Sequence, residues 1–176
     1  MKRDLSGQTF ERIWTLDRAG IDRDLRTIPA ALSSEYPVRR YYGNEVLVHS
    51  ADAINLERAA DGLSMLWNHN TDLPIGIVES INLDTDGKLR GRLRFSNNSK
   101  ASEVWNDVSD GFLKDISISY SVDKWEEEAG GDTVRVTRWT LLEASVVTVP
   151  ADHTVGMNRS LTGVKPMTDE TKPENS

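Results

Sequence analysis

The sequence contains no cysteine, which removes disulfides, thiolate zinc sites and a cysteine nucleophile together. It has no apolar run long enough to span a bilayer, and no apolar stretch follows the basic start Met1-Lys2-Arg3 to make a secretory signal. It also lacks an excess of positive charge. The balance of 21 basic against 28 acidic residues, net −7, argues against a general nucleic-acid or anionic-membrane binder. Two familiar catalytic patterns are absent: G-x-S-x-G and H-E-x-x-H. The expectation is a soluble intracellular chain with no metal and no cofactor, partnered by neither nucleic acid nor membrane.

What is present suits one globular domain. Apolar residues make up 38% of the 176, with five Trp, four Tyr and three Phe, enough to bury a sizeable core. Residues 1–8 are polar and read as a flexible N-terminus, residues 9–160 as the domain, and residues 161–176 as a disordered tail or linker.

Most segments read as strands. Thr9 to Asp17, the two arms of a strand–turn–strand from Val38 to His49 and Ile77 to Leu83 fit extended structure, and Leu63 to Trp67 is an apolar stretch ending in Asn68-His69-Asn70. Asp84-Thr85-Asp86-Gly87 is a hairpin turn, since Asp-Gly supplies positive φ. After it, Leu89, Gly91, Leu93 and Phe95 alternate with Lys88, Arg90, Arg92 and Arg94, read as a half-exposed strand with a solvated basic face. Arg18 to Pro37, with Pro29 and Pro37, reads as a connecting segment, and Asn55 to Ala60 as a short helix. Ala101, Val104, Trp105 and Val108 mark a helix from Ser99 to Gly111, with Asn98 or Ser99 as cap and Gly111 as terminator. Strands follow over Asp115–Val122, Thr133–Thr140 and Leu141–Val149. Seven or eight strands with short connections give a mostly β fold, a barrel-like antiparallel core with peripheral helices.

The Asp115–Val122 segment carries the chemical suggestion. Ile116, Ile118, Tyr120 and Val122 face one way; Ser117, Ser119 and Ser121 form a rail of hydroxyls facing a cleft or solvent. A serine becomes a nucleophile only when a base takes its proton and a third group orients that base. His49, His69 and His153 are the histidine candidates, each by itself more readily structural than catalytic. Glu143 lies in an apolar strand, where a carboxylate needs a partner. A histidine would make it the third member of a triad; an arginine such as Arg138 would make it an edge-strand ion pair. The residues alone leave both open.

Three motifs occur in order: Leu66-Trp67-Asn68-His69-Asn70 with Pro74-Ile75-Gly76, then Gly111-Phe112-Leu113-Lys114-Asp115-Ile116-Ser117-Ile118-Ser119-Tyr120, then Leu141-Leu142-Glu143-Ala144-Ser145-Val146-Val147-Thr148-Val149-Pro150-Ala151-Asp152. Together with Val38-Arg39-Arg40-Tyr41-Tyr42-Gly43 and Glu45-Val46-Leu47, they resemble the prohead serine proteases of tailed bacteriophages over roughly residues 36–156. The resemblance implies a fold like that of herpesvirus assemblins, a small β-barrel surrounded by helices. It implies a serine endopeptidase with Ser117 as nucleophile, His69 as base and Glu143 as third member. His153 is the alternative third member, because assemblins use a second histidine. Ser119 is the alternative nucleophile, because the family commonly has glycine there. The oxyanion donors are left to backbone amides or an arginine such as Arg159.

By the same resemblance, the substrates are the scaffolding segment of a capsid protein or a separate scaffold. The site of action is the assembling prohead in the bacterial cytoplasm, and the enzyme cuts itself as well. The tail is then a self-cleavage linker, a junction to a scaffold or capsid region, or a plain disordered end; a homo-oligomer is left open. The rival reading is a non-catalytic capsid-assembly or scaffold-interaction protein that keeps the fold. A third is an unrelated β-barrel binding module whose Ser, His and Glu are incidental.

Overall fold

The computed structural model describes residues 4–149. Within them, ten strands form one sheet, in the order β1 (Thr9–Thr15), β9 (Asp115–Glu127), β10 (Thr133–Val147), β6 (Leu63–Trp67), β7 (Asn70–Leu83), β8 (Leu89–Phe95) and β2 (Thr27–Ser33). The short strands β3 (Val38–Arg40), β4 (Gly43–Leu47) and β5 (Ile54–Asn55) join it from the side. The sheet curls into a half-barrel, bringing its two end strands β1 and β2 close without a ladder between them. Arg12 bridges that seam: its Nη1 donates to the carbonyls of Ser34 (3.1 Å) and Tyr36 (3.0 Å) beyond β2.

β10 organises the topology. One edge pairs antiparallel with β9; the other is served in turn by β4, β5 and β6, all parallel to it. The expected antiparallel pairing therefore holds for sequential neighbours but not along this edge. The reason is geometric. From Gly43 to Trp67 the chain runs beside β10 as one interrupted strand, so the three parallel pairings need no crossover between them. Short connections constrain only strands adjacent in sequence.

Several other expectations change. The connecting segment Arg18–Pro37 contains β2, an end strand whose Pro29 is exposed and lacks only a donor that the edge does not use. The helix expected over Asn55–Ala60 reduces to a single 3-10 turn, Glu57–Ala59. Residues 5–8, expected to be flexible, are tied down. Leu5 is buried in the core, Gly7 N–H donates to the Val122 carbonyl (2.8 Å), and Val122 N–H donates to that of Gln8 (3.0 Å). The tail expected over 161–176 and the domain limit at 160 lie outside the described residues.

The helix α1 (Ser99–Asp110) forms as its pattern requires. Asn98 caps it by accepting from Ala101 N–H (2.8 Å), Gly111 ends it at φ 83°, and Ala101, Val104, Trp105 and Val108 are all buried. Gly76 is fixed by proximity rather than by φ, since a Cβ there would lie 2.1 Å from the Arg94 carbonyl oxygen on β8. Two cations of the basic face of β8 are paired locally. Arg90 pairs with Asp84 (2.6 Å) and Asp86 (2.7 Å), and Arg94 pairs with Glu79 (2.7 Å).

Inside the half-barrel sits a charge. Glu45 of β4 has a fully buried side chain, bound by Arg12 (3.1 Å) and Arg40 (3.4 Å) and by the hydroxyls of Tyr42 and Tyr120. Burial alone would push the Glu45 carboxyl up. The two guanidinium groups and two hydroxyl donors outweigh it and hold the group below the usual carboxylate range. This hub joins β1, β3, β4 and β9. Glu45→Ala leaves two guanidinium groups facing a void, so it is expected to cost about 3–5 kcal/mol in urea denaturation. Glu79→Ala on the surface should cost less than about 1 kcal/mol. The Glu45 contribution is present above the ordinary carboxylate pKa and is lost as pH falls through the lower folded value.

Candidate active site

The register of β9 against its neighbours arranges the site. On one face, Ser117 lies opposite Ile13 of β1 and Ser145 of β10, and Ser119 lies opposite Glu11 of β1 and Glu143 of β10. On the other face, Ile116, Ile118 and Tyr120 lie opposite Val146, Ala144 and Leu141, with every one of the six buried. Strict alternation along β10 would put Leu141 on the Glu143 face. A register shift between Leu141 and Glu143 makes Leu142 the extra residue of a bulge, so Leu141 returns to the core while Glu143 points at the serines. The serine rail is also not wet. Ser117 is 1% exposed and Ser119 8%, because groups from β1, β6–β7 and β10 surround them.

His69 reaches this face from a two-residue hairpin. Trp67 at the end of β6 pairs with Asn70 at the start of β7, and between them Asn68 (φ 49°) and His69 (φ 57°) both take positive φ, as a type I′ turn requires. Asparagine and histidine are enriched among non-glycine residues in that region, yet each still costs on the order of 1–3 kcal/mol. The turn is held by the end of β10. Asn68 N–H donates to the Val146 carbonyl (3.0 Å), and the Asn68 side-chain oxygen accepts from Thr148 N–H (3.0 Å). His69 N–H donates to the Ser145 hydroxyl oxygen (3.0 Å).

Three of the residues singled out in the sequence converge. The Ser117 hydroxyl lies 2.9 Å from His69 Nε2, and His69 Nδ1 is hydrogen-bonded to the Glu143 carboxylate. An ionised carboxylate can only accept, so Nδ1 carries the proton and Nε2 is the free acceptor facing Ser117. Burial disfavours a charged imidazole, but the hydrogen bond and charge of Glu143, with a smaller contribution from Glu11, outweigh it and raise the His69 pKa. Ser119 takes a different place. Its hydroxyl donates to Glu143 (2.6 Å) and lies 3.1 Å from Nδ1, on the side of the ring away from the free nitrogen.

The alternatives fall elsewhere. His49 is buried, donates from Nδ1 to the Leu47 carbonyl (2.8 Å) and lies against Trp139; burial pushes its pKa down. His153 and Arg159 lie outside the described residues. The pairing of Glu143 with Arg138 does not occur among the described contacts.

Two residues without a role in the sequence reading belong to the site. Ser145, fully buried, accepts from His69 N–H and donates to Glu143 (2.8 Å), so one hydroxyl ties the imidazole's backbone to the carboxylate. Its place opposite Ser117 follows from the ladder, which one strand alone cannot reveal. Glu11 comes from β1, far upstream of the recognisable motifs.

The comparisons with known proteins bear on the same region. Residues 32–170 match the caudovirus prohead serine protease family model. The chain belongs to that family. It is 44% identical over 134 residues to the major capsid protein of Halomonas phage phiHAP-1, covering 73% of this chain and 22% of that protein. It is 26% identical over 152 residues to the capsid polyprotein of Pseudomonas phage PAJU2, covering 78% of this chain and 20% of that protein. The chain thus spans about a fifth of the length of these relatives. Its fold resembles that of the bacteriophage T4 capsid assembly protease gp21, with TM-score 0.58, 13% identity, and coverage of 81% of this chain and 98% of the other.

The Ser145 hydroxyl can be tested without any assay of activity. Replacing it in Ser145→Ala removes the acceptor of the His69 amide, so that amide should exchange with solvent on the order of tenfold faster, the equivalent of one net hydrogen bond of about 1–1.5 kcal/mol. Amide hydrogen exchange followed by NMR checks this.

Proposed function

We propose that this chain is a phage prohead maturation endopeptidase in which Ser117 is the nucleophile, His69 the general base and acid, and Glu143 the group that orients it. The observation that carries the proposal is the unbroken chain of contacts from Ser117 Oγ to His69 Nε2 and from Nδ1 to Glu143, in a member of this family. In the first step the Ser117 proton moves to Nε2 while Oγ bonds to the scissile carbonyl carbon. The imidazolium then gives that proton to the departing amine as the C–N bond breaks, leaving an ester on Ser117. Water attacks the ester carbon with Nε2 taking its proton, and the imidazolium passes that proton to Ser117 Oγ as the ester bond breaks, releasing the acid and restoring the hydroxyl. Glu143 fixes the tautomer throughout and stabilises the imidazolium. Ser119 and Ser145 hold the Glu143 carboxylate by one hydrogen bond to each oxygen.

The substrate proposed is capsid or scaffold polypeptide inside the prohead. The relatives named major capsid protein and capsid polyprotein are several times longer than the matched region, which supports a protease segment carried in the same chain as its substrate. Self-cleavage at a junction beyond the protease is the corresponding proposal for this chain.

One observation favours a second reading. Ser117 is 1% exposed, so a substrate must displace part of the surrounding site to reach it. A non-catalytic assembly protein that keeps the fold would have no need to open.

Co-expression with the cognate capsid protein separates these readings. Wild type should process the capsid protein, Ser117→Ala should lose about 10⁴-fold or more in rate, and Ser119→Ala should keep measurable processing. Processing by Ser117→Ala at the wild-type level refutes the nucleophile assignment; no processing by wild type inside assembled proheads supports the second reading. On a peptide substrate, the acid limb of kcat/KM should lie above about 6.5, the ordinary histidine value, because the raised pKa keeps His69 protonated to higher pH.

A further inference from the structure

β1 places one charged side chain on the site face. Glu11 lies opposite Ser119 in the β1–β9 ladder, and its Oε2 is 3.6 Å from His69 Nε2, the nitrogen that also faces Ser117. The imidazole therefore has a carboxylate at each end: Glu143 hydrogen-bonded at Nδ1, and Glu11 beside Nε2, where the serine proton would arrive. Glu11 is held in position through its backbone, since its carbonyl accepts from Arg40 Nη2 (2.6 Å), and Arg40 is anchored to buried Glu45. Its side chain is 38% exposed, so it stands at the open side of the site. Among the described residues, its carboxylate is paired with no lysine or arginine. Among the described residues, the charged groups paired with His69 are Glu143 from β10 and Glu11 from β1; β9 presents the hydroxyls of Ser117 and Ser119 to it, while Asp115, further along the same face, accepts from the Thr15 hydroxyl (3.3 Å).

We propose that Glu11 is a positioning residue of the site, a second carboxylate that stabilises the His69 imidazolium from the Nε2 side as Ser117 gives up its proton. The inference rests on the assignment of Ser117 and His69 under the proposed function. Two effects follow from the charge, and they oppose each other. Glu11 favours the imidazolium formed during attack, which speeds the step when His69 starts out neutral. It also keeps more of the resting His69 protonated in acid, which removes the base there. The raised His69 pKa agrees with this arrangement.

The test uses the full 176-residue chain. Glu11→Gln keeps size and hydrogen bonding while removing charge. On a peptide substrate, its plateau kcat should fall about three- to tenfold, and the acid limb of its pH profile should move down by on the order of half a pH unit or more. A purely structural role would lower the plateau without moving the limb. Titration of the His69 ring by NMR in a Ser117→Ala background gives the same answer without turnover: adding Glu11→Gln should lower the His69 pKa. An unchanged His69 titration overturns the inference. The failure of the underlying reading looks different, because Ser117→Ala would then retain hydrolysis whatever Glu11 does.

Discussion

The register of β9 between β1 and β10 is the constraint on which the rest depends. Side chains alternate along a strand, so a slip of one residue would carry Ser117 and Ser119 into the core and expose Ile116 and Ile118. Two features resist that slip. The apolar face packs Ile116, Ile118 and Tyr120 against Val146, Ala144 and Leu141, all buried. On the same inner side, the Tyr120 hydroxyl reaches Glu45, which Arg12 of β1 and Arg40 of β3 also grip. The buried ion cluster and the site face are opposite sides of the same strands. A buried charge is rarely a net gain in stability. Here its geometry specifies which strands meet and in which register, and the position of Ser117 relative to Glu143 is a consequence.

The site is assembled from segments distant in sequence, each held by backbone geometry. His69 stands on a positive-φ turn that the end of β10 clamps through Val146, Thr148 and Ser145. Glu143 is turned toward the serines downstream of the Leu142 bulge. Ser117 sits between them on a central strand. Such a site is rigid because its supports are ladder hydrogen bonds and a sealed core, and rigid support is what pre-organised proton transfer needs. The same closure explains the burial of Ser117. Under the proposed function, Glu11 and His69, with partly exposed side chains, are the groups that an arriving peptide would meet first.

Much of this was legible in the sequence, for identifiable reasons. Strict alternation over Ile116–Val122 gave the strand and its two faces, and the i, i+3, i+4, i+7 apolar positions with Asn98 and Gly111 gave the helix. Glu143 in an apolar strand marked a carboxylate in need of a partner, with a histidine and an arginine both open, and the family resemblance alone pointed to a triad role. What was hidden depends on partners rather than on local pattern. β2 escaped notice because Pro29 argues against a strand, and only the empty edge it faces makes the proline acceptable. The parallel edge of β10 escaped because turn-like connections report on sequential neighbours alone. The Leu142 bulge leaves no local mark, and strict alternation alone would put Leu141 on the wrong face. Ser145 and Glu11 acquire meaning only when the ladder sets them beside Ser117 and Ser119. The Asn-His pair was visible, but its reading as a type I′ turn required knowing that two strands flank it.

The central claim is that one serine of the buried rail is activated, and covalent labelling tests it most directly. The folded chain can be treated at neutral pH with a serine-directed fluorophosphonate and the modified peptide mapped by mass spectrometry. The account predicts a single adduct on Ser117 that disappears in His69→Ala while the fold is retained. An adduct on Ser119, or labelling of Ser117 that persists unchanged without His69, would contradict it.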